Sequence, residues 1–204
     1  PQVRRLQIAD LIAMAEKAPA KGIALDFYFA PFANKNDNDK GVDQLLCSEI
    51  LKAKTANSQR AAIPIFTVYG FERNGNRLDR LDVDPDLQEC LPVSDQGHGI
   101  GYAEWDGRVR SIPLYFENDR ALESISLKIA RTLNGQVRVP DNGLLQFTKP
   151  QEEFETIQFE QLDKGSDSDR SILRDRFILV GEQSEQDSFP TPYDKQSGIN
   201  IHSY

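Results

Sequence analysis

The chain has 204 residues, 27% of them charged and 39% apolar, which suits one globular domain with a substantial core and excludes a disordered tail. A formal net charge of −8 with scattered arginines opposes a nucleic-acid binder, which needs clustered Lys and Arg, and gives no general attraction to anionic lipid headgroups. No run approaches the roughly 20 apolar residues of a membrane-spanning helix, and no basic-then-apolar secretion signal follows Pro1.

Val3, Leu6, Ala9, Ile12 and Ala13 recur at helical spacing and predict a first helix that stops near Pro19. Gly22 opens an apolar and aromatic run over 23–29 that predicts a buried strand, ended by Pro31. Asp26 falls inside that run, where an unpaired carboxylate is costly. The Asn- and Asp-rich loop 34–41 fails as a calcium loop, because aligning Gly41 with the turn glycine puts Lys40 and Cys47 where oxygen ligands are required. Asp43 precedes Leu46, Ile50 and Ala53 and is expected as the N-terminal acid of a helix running toward Ala56. Residues 61–69 read as a strand, with Pro64 confining it to a beginning, a bulge or an edge. From Gly75 through Asp86 the chain reads as exposed connection, and Gly97-His-Gly-Ile-Gly101 lacks the spacing of the dinucleotide fingerprint.

Asp106-Gly107 predicts a tight hairpin with arms over 101–105 and 108–116, Ile112, Leu114 and Phe116 sharing one face of the second arm. Leu122, Ile125, Ile129, Ala130 and Leu133 predict an amphipathic helix ended by Asn134-Gly135. Residues 137–148 hold one or two strands, and the Gly- and Ser-rich stretch 164–171 reads as loop. Phe177 to Val180, closed by Gly181, predicts a strand buried on both faces of a largely parallel sheet. The loop that follows carries Asp187 and the Pro190-Thr191-Pro192 kink, and it opens where α/β sheets hold their ligands. The fold class expected is therefore a single α/β domain, with a mixed, mostly parallel sheet and helices packed on its faces.

Cys47 and Cys90 are too few for a disulfide framework. In an oxidising compartment they could pair; the preferred reading is a small buried helix residue and a loop thiol, since sequence does not fix their distance.

Catalytic motifs are not met. Gly181-Glu-Gln-Ser184 lacks the placement of a nucleophile elbow, and no phosphate-binding loop occurs. Metal-assisted hydrolysis through Asp26, Asp187 and His202 is the best catalytic alternative, although only His98 and His202 supply imidazoles. Asp26 reads equally as an acceptor for backbone N–H groups of the Asp187 loop and as a direct ligand contact. Trp105 is expected to pack the hairpin. Arg110 shares a face with Arg108 and either pairs with an acid or grips an anionic ligand.

Four stretches, in order, carry a resemblance. They are Gly22-Ile-Ala-Leu-Asp26, Asp43-Gln-Leu45, Trp105-Asp106-Gly107-Arg108-Val109-Arg110, and a closing set of Gly181, Asp187, Thr191-Pro192 and Gly198-Ile-Asn-Ile-His202. From about Arg4 to His202 the chain resembles a CHASE-type extracellular sensor domain, the second family of that name. The resemblance implies a non-catalytic, ligand- or stimulus-sensing domain on the periplasmic face of the cytoplasmic membrane, within a larger signal-transduction protein with a cytoplasmic output module. It implies a family strand upstream of Arg4 and anchoring only by membrane helices outside these 204 residues. Asp26, Asp43, Arg110, Asp187, Thr191 and His202 are the expected ligand-binding residues. The stimulus is a small molecule or a protein, no metal, cofactor or nucleic acid is expected, and a homodimer or oligomerising interaction module is the remaining alternative.

Overall fold

In the computed structural model the described residues are 2–31, 35–57, 61–74, 77–99, 102–103, 109–111, 115, 123–135, 155–162, 166–181, 188–190 and 195–197. In chain order they form α1 (Gln2–Lys17), β1 (Gly22–Leu25), α2 (Asp37–Lys54), β2 (Ile65–Val68), β3 (Gly70–Asn74), β4 (Arg77–Leu81), β5 (Gln96–Gly97), β6 (Tyr102–Ala103), β7 (Val109–Ser111), α3 (Ile125–Leu133), α4 (Asp167–Leu173), β8 (Phe177–Val180), β9 (Ser188–Pro190) and β10 (Lys195–Ser197).

The central sheet has the order β5-β2-β1-β8 and is parallel throughout. Successive side chains point to opposite faces of a strand, so one sheet supplies two cores. Ile23, Leu25 and Ile65 face α1 and α2, joining Ile8, Ile12, Leu46 and Ile50. Ala24, Phe66 and Val68 face the other way, against Ile125 and Ile129 of α3. Helices thus cover both sides, as a parallel sheet requires. Gly97 permits the closest approach on the α3 side, since a Cβ there would lie 2.6 Å from the Ile125 Cα.

Several expectations hold. α1 stops short of Pro19, Pro64 directly precedes β2, and α3 runs to Leu133 with Ser124 as its N-cap. The β6–β7 pair supplies the arms of the predicted hairpin, Tyr102 opposite Ser111; Asp106 and Gly107 lie outside the described residues. So does the predicted 137–148 strand region.

Others are corrected. β1 ends at Leu25, and Asp26 sits half-buried just beyond it. β8 pairs only with β1 among the described residues; Ile178 and Val180 pack on one core and Phe177 and Leu179 on the other, but of its four residues only Val180 is buried, so the strand is less enclosed than expected. The stretch read as exposed connection holds β4, which pairs antiparallel with β3 just before it, and the buried Val83 and Asp84. Within the stretch read as loop, α4 forms from Asp167. α2 begins six residues before Asp43, at Asp37, where Asn36 and Asp39 form a reciprocal capping box. Asp43 is therefore a buried second-turn residue and not an N-terminal acid. Finally, Cys90 is no loop thiol: α2 and the turn after Leu87 pack closely, setting the Cys47 and Cys90 Cα atoms 5.4 Å apart, and the two are joined by a disulfide.

Candidate functional site

A parallel sheet brings the carboxyl ends of its strands to one side, and the loops leaving them gather there. From β1 the chain passes into a loop. The Asp26 N–H donates to the Val180 carbonyl at 2.7 Å, and the Phe27 carbonyl accepts from the buried Thr67 hydroxyl at 2.7 Å. Asp26 is thereby fixed between the ends of β1 and β8, beside Gly181. Among the described residues a groove of about 790 Å³ runs along β8 and reaches this end, with Phe27, Leu179 and Gly181 in its wall.

Behind this loop lies a cluster of buried charges that sequence reasoning did not foresee. The Phe29 carbonyl accepts from the Asp84 N–H at 2.8 Å, and the Ala30 carbonyl accepts from Arg5 Nη2 at 3.0 Å. Arg5, on α1, also donates to Asp43 Oδ1, and both its Nη atoms lie 3.2 Å from Asp84 Oδ2. Its guanidinium stands 5.8 Å from the centre of the Phe29 ring. Lys35 completes the cluster, its Nζ 2.7 Å from Asp43 Oδ2, 2.5 Å from Asp84 Oδ1 and 2.6 Å from Asp86 Oδ2. Arg5, Asp43 and Asp84 are each at most 4% exposed. Buried charges persist only when paired and hydrogen-bonded, and here each carboxylate faces two cations.

Electrostatics follow from that packing. Burial pushes the Asp84 carboxyl up, but the Lys35 ammonium, the Asp86 N–H and Arg5 together hold it below the ordinary carboxylate range. Burial likewise opposes the charge on Lys35, and its three carboxylate partners prevail and raise it. The oxygens of Asp43, Asp84 and Asp86 lie within 4.8 Å of one another, a spacing that suits a cation. The Lys35 ammonium supplies that positive charge.

The residues predicted as ligand-binding are thus distributed. Asp26 stands at the strand ends, Asp43 lies in the charge cluster, and Arg110 is on β7, which pairs with β6 and not with the central sheet. Asp187, Thr191 and His202 lie outside the described residues. Arg5, Lys35, Asp84 and Asp86 were missed. A signal existed for the last two in Asp84-Pro85-Asp86, where an acid precedes a proline-led turn and accepts from the Asp86 N–H at 3.2 Å.

No curated protein and no solved structure matches this chain. The CHASE2 domain family matches residues 2–204. With that match over the chain, an α/β fold and an acid at the tip of its central strand, the chain belongs to the CHASE2 family of extracellular sensor domains.

Proposed function

We propose that this domain is the ligand- or stimulus-sensing, non-catalytic, periplasmic part of a membrane-anchored signal-transduction protein, passing a conformational change to a cytoplasmic output module. The family match over residues 2–204 carries the reading. The Cys47–Cys90 disulfide supports it, because such bonds persist in oxidising compartments outside the cytoplasm.

The receptive surface is assigned to the carboxyl ends of β1 and β8, with Asp26 as its fixed acid and with Asp187, Thr191 and His202, which follow β8 in the sequence, as its further contacts. Arg110 is kept as a contact for an anionic group. Asp43 acts at one remove, through the Arg5 and Lys35 pairs that hold the strand-end loop in place. A ligand that binds one arrangement of this surface better than another shifts the population, tenfold for each ~1.4 kcal/mol of differential affinity.

Thermal-shift screening of the 204-residue protein, followed by calorimetry on hits, tests this. A small molecule at about 100 times its Kd should add roughly 2.7 kcal/mol of stability, and Asp26→Asn should abolish the shift. Metal-dependent turnover lost in Asp26→Ala would instead establish the hydrolase alternative. Concentration-dependent mass without any ligand would favour the oligomerising module, in which a second copy is the partner.

A further inference from the structure

We propose that the Cys47–Cys90 disulfide is a thiol-reducible latch that controls how firmly segment 84–91 is clamped on α2. Two observations carry it, both independent of ligand sensing at the strand ends.

The first is placement. Asp43 and Cys47 lie one helical turn apart on α2, while Asp84 and Cys90 lie on the facing segment, so the covalent bond and the ion cluster join the same two elements side by side. The same segment reaches the strand-end loop, because the Asp84 N–H donates to the Phe29 carbonyl at 2.8 Å. Loosening 84–91 therefore loosens the backbone that follows β1.

The second is access. Cys47 lines an open groove of about 690 Å³, together with Ser48, Leu51, Asp86 and Glu89. Cys90 is fully buried behind it, its sulfur 3.3 Å from the Leu87 carbonyl. Cys47 is 8% exposed at the groove and Cys90 not at all, so an attacking thiolate would come from the Cys47 side, and the acids on the groove, Glu16, Asp86 and Glu89 against Lys52, favour a neutral or basic thiol over an acidic one.

The chemistry is disulfide exchange with a dithiol. Its thiolate attacks Cys47 Sγ, the Cys47–Cys90 bond breaks, and the electron pair leaves on the Cys90 sulfur, which takes up a proton. The new thiol finds the Leu87 carbonyl already placed as acceptor. The second thiol of the reductant then displaces Cys47 from the mixed disulfide, so the dithiol is oxidised by two electrons and both cysteines end as thiols. What still holds the segment is non-covalent, chiefly the Asp84 pairs and the Lys54 ammonium on the Cys90 carbonyl at 2.6 Å.

Hydrogen exchange of the 204-residue protein with and without excess dithiothreitol tests the latch. After reduction the amides of 84–91 should exchange at least about tenfold faster than those of β1 and β2, whose protection follows the global stability, because the segment then opens locally. C47S/C90S should behave as the reduced protein in both conditions, with an unchanged far-UV spectrum. Trapping with cysteamine, a basic monothiol, should place the adduct on Cys47. A loss of protection at 84–91 no greater than that at β1 and β2 would show a mere structural staple. Unchanged exchange at 84–91, a bond that resists native-state reduction, or an adduct on Cys90 would each overturn the proposal.

Discussion

Asp84 is fully buried and joins α1, the strand-end loop and the entry to α2 through Arg5, the Phe29 carbonyl and Lys35. Asp84→Asn leaves the buried Arg5 with Asp43 as its carboxylate in the cluster, shared with Lys35, which keeps Asp86 as well, and breaking a buried pair from one side costs about 3–5 kcal/mol; urea unfolding at neutral pH should show that loss. The pH dependence has a definite sign. Because the folded carboxyl is held below its ordinary value, its stabilisation is complete above the unfolded value near pH 3.9 and fades as pH falls through the folded one. Wild-type stability should therefore drop below about pH 4 more steeply than that of Asp84→Asn, as urea midpoints across that range would reveal. Two glycines give a contrasting pair. A Cβ on Gly41, within α2, meets nothing within 4 Å, so Gly41→Ala should stabilise by about 0.5–1 kcal/mol. At Gly97 the Ile125 backbone is in the way at 2.6 Å, so Gly97→Ala should destabilise by about 1–3 kcal/mol. Denaturant midpoints of the two variants should move in opposite directions.

At the scale of elements, caps decide where helices begin. Ser124 is fully buried, and its hydroxyl accepts from the Leu127 N–H at 3.1 Å. Ser124→Ala should cost about 1 kcal/mol or somewhat more, seen as a lower unfolding midpoint with α3 exchanging faster. The same physics explains what could be read in advance. α3, β1, β2 and β8 were legible because each is an apolar run with a sharp boundary: Asn134-Gly135 after α3, Gly22 opening β1, a leading Pro64 before β2 and Gly181 after β8. α2 was placed late because attention fell on Asp43, while the capping pair Asn36 and Asp39 lies in a stretch whose polarity suggested a loop. β3–β4 was missed because Phe71 and Leu81 are diluted by charged neighbours, although Asn74-Gly75 is a recognised hairpin dipeptide. α4 escaped for a related reason: Ser166-Asp-Ser-Asp169 reads equally as loop and as a helix start, and only Ile172 and Leu173 favour the helix. Of the candidate site, Asp26 was legible as an acid at a strand tip. The Arg5–Lys35–Asp84 cluster was not, because its members come from distant segments and no local pattern marks a partner 79 residues away.

For the molecule as a whole, the order β5-β2-β1-β8 puts the earliest strand at the centre and pairs it with the late β8. The sheet therefore closes only after most of the described chain is in place, and its contacts are mostly long-range in origin. The disulfide acts on the other side of that equilibrium. It joins positions 43 residues apart, so in the unfolded chain it closes a loop containing β2, β3 and β4, and by loop-closure entropy this is worth roughly 4 kcal/mol. Most of that arises because the unfolded ensemble is restricted, not because the native core is better packed. C47S/C90S should then unfold with about 4 kcal/mol less free energy and a larger denaturant slope, since an uncrosslinked unfolded chain exposes more surface. A domain with stability in the usual range of about 5–15 kcal/mol remains folded after that loss. Were the slope unchanged and the whole effect in the midpoint, the bridge would be acting on the native state, through the packing of α2 against segment 84–91, and the entropic account would be the wrong one.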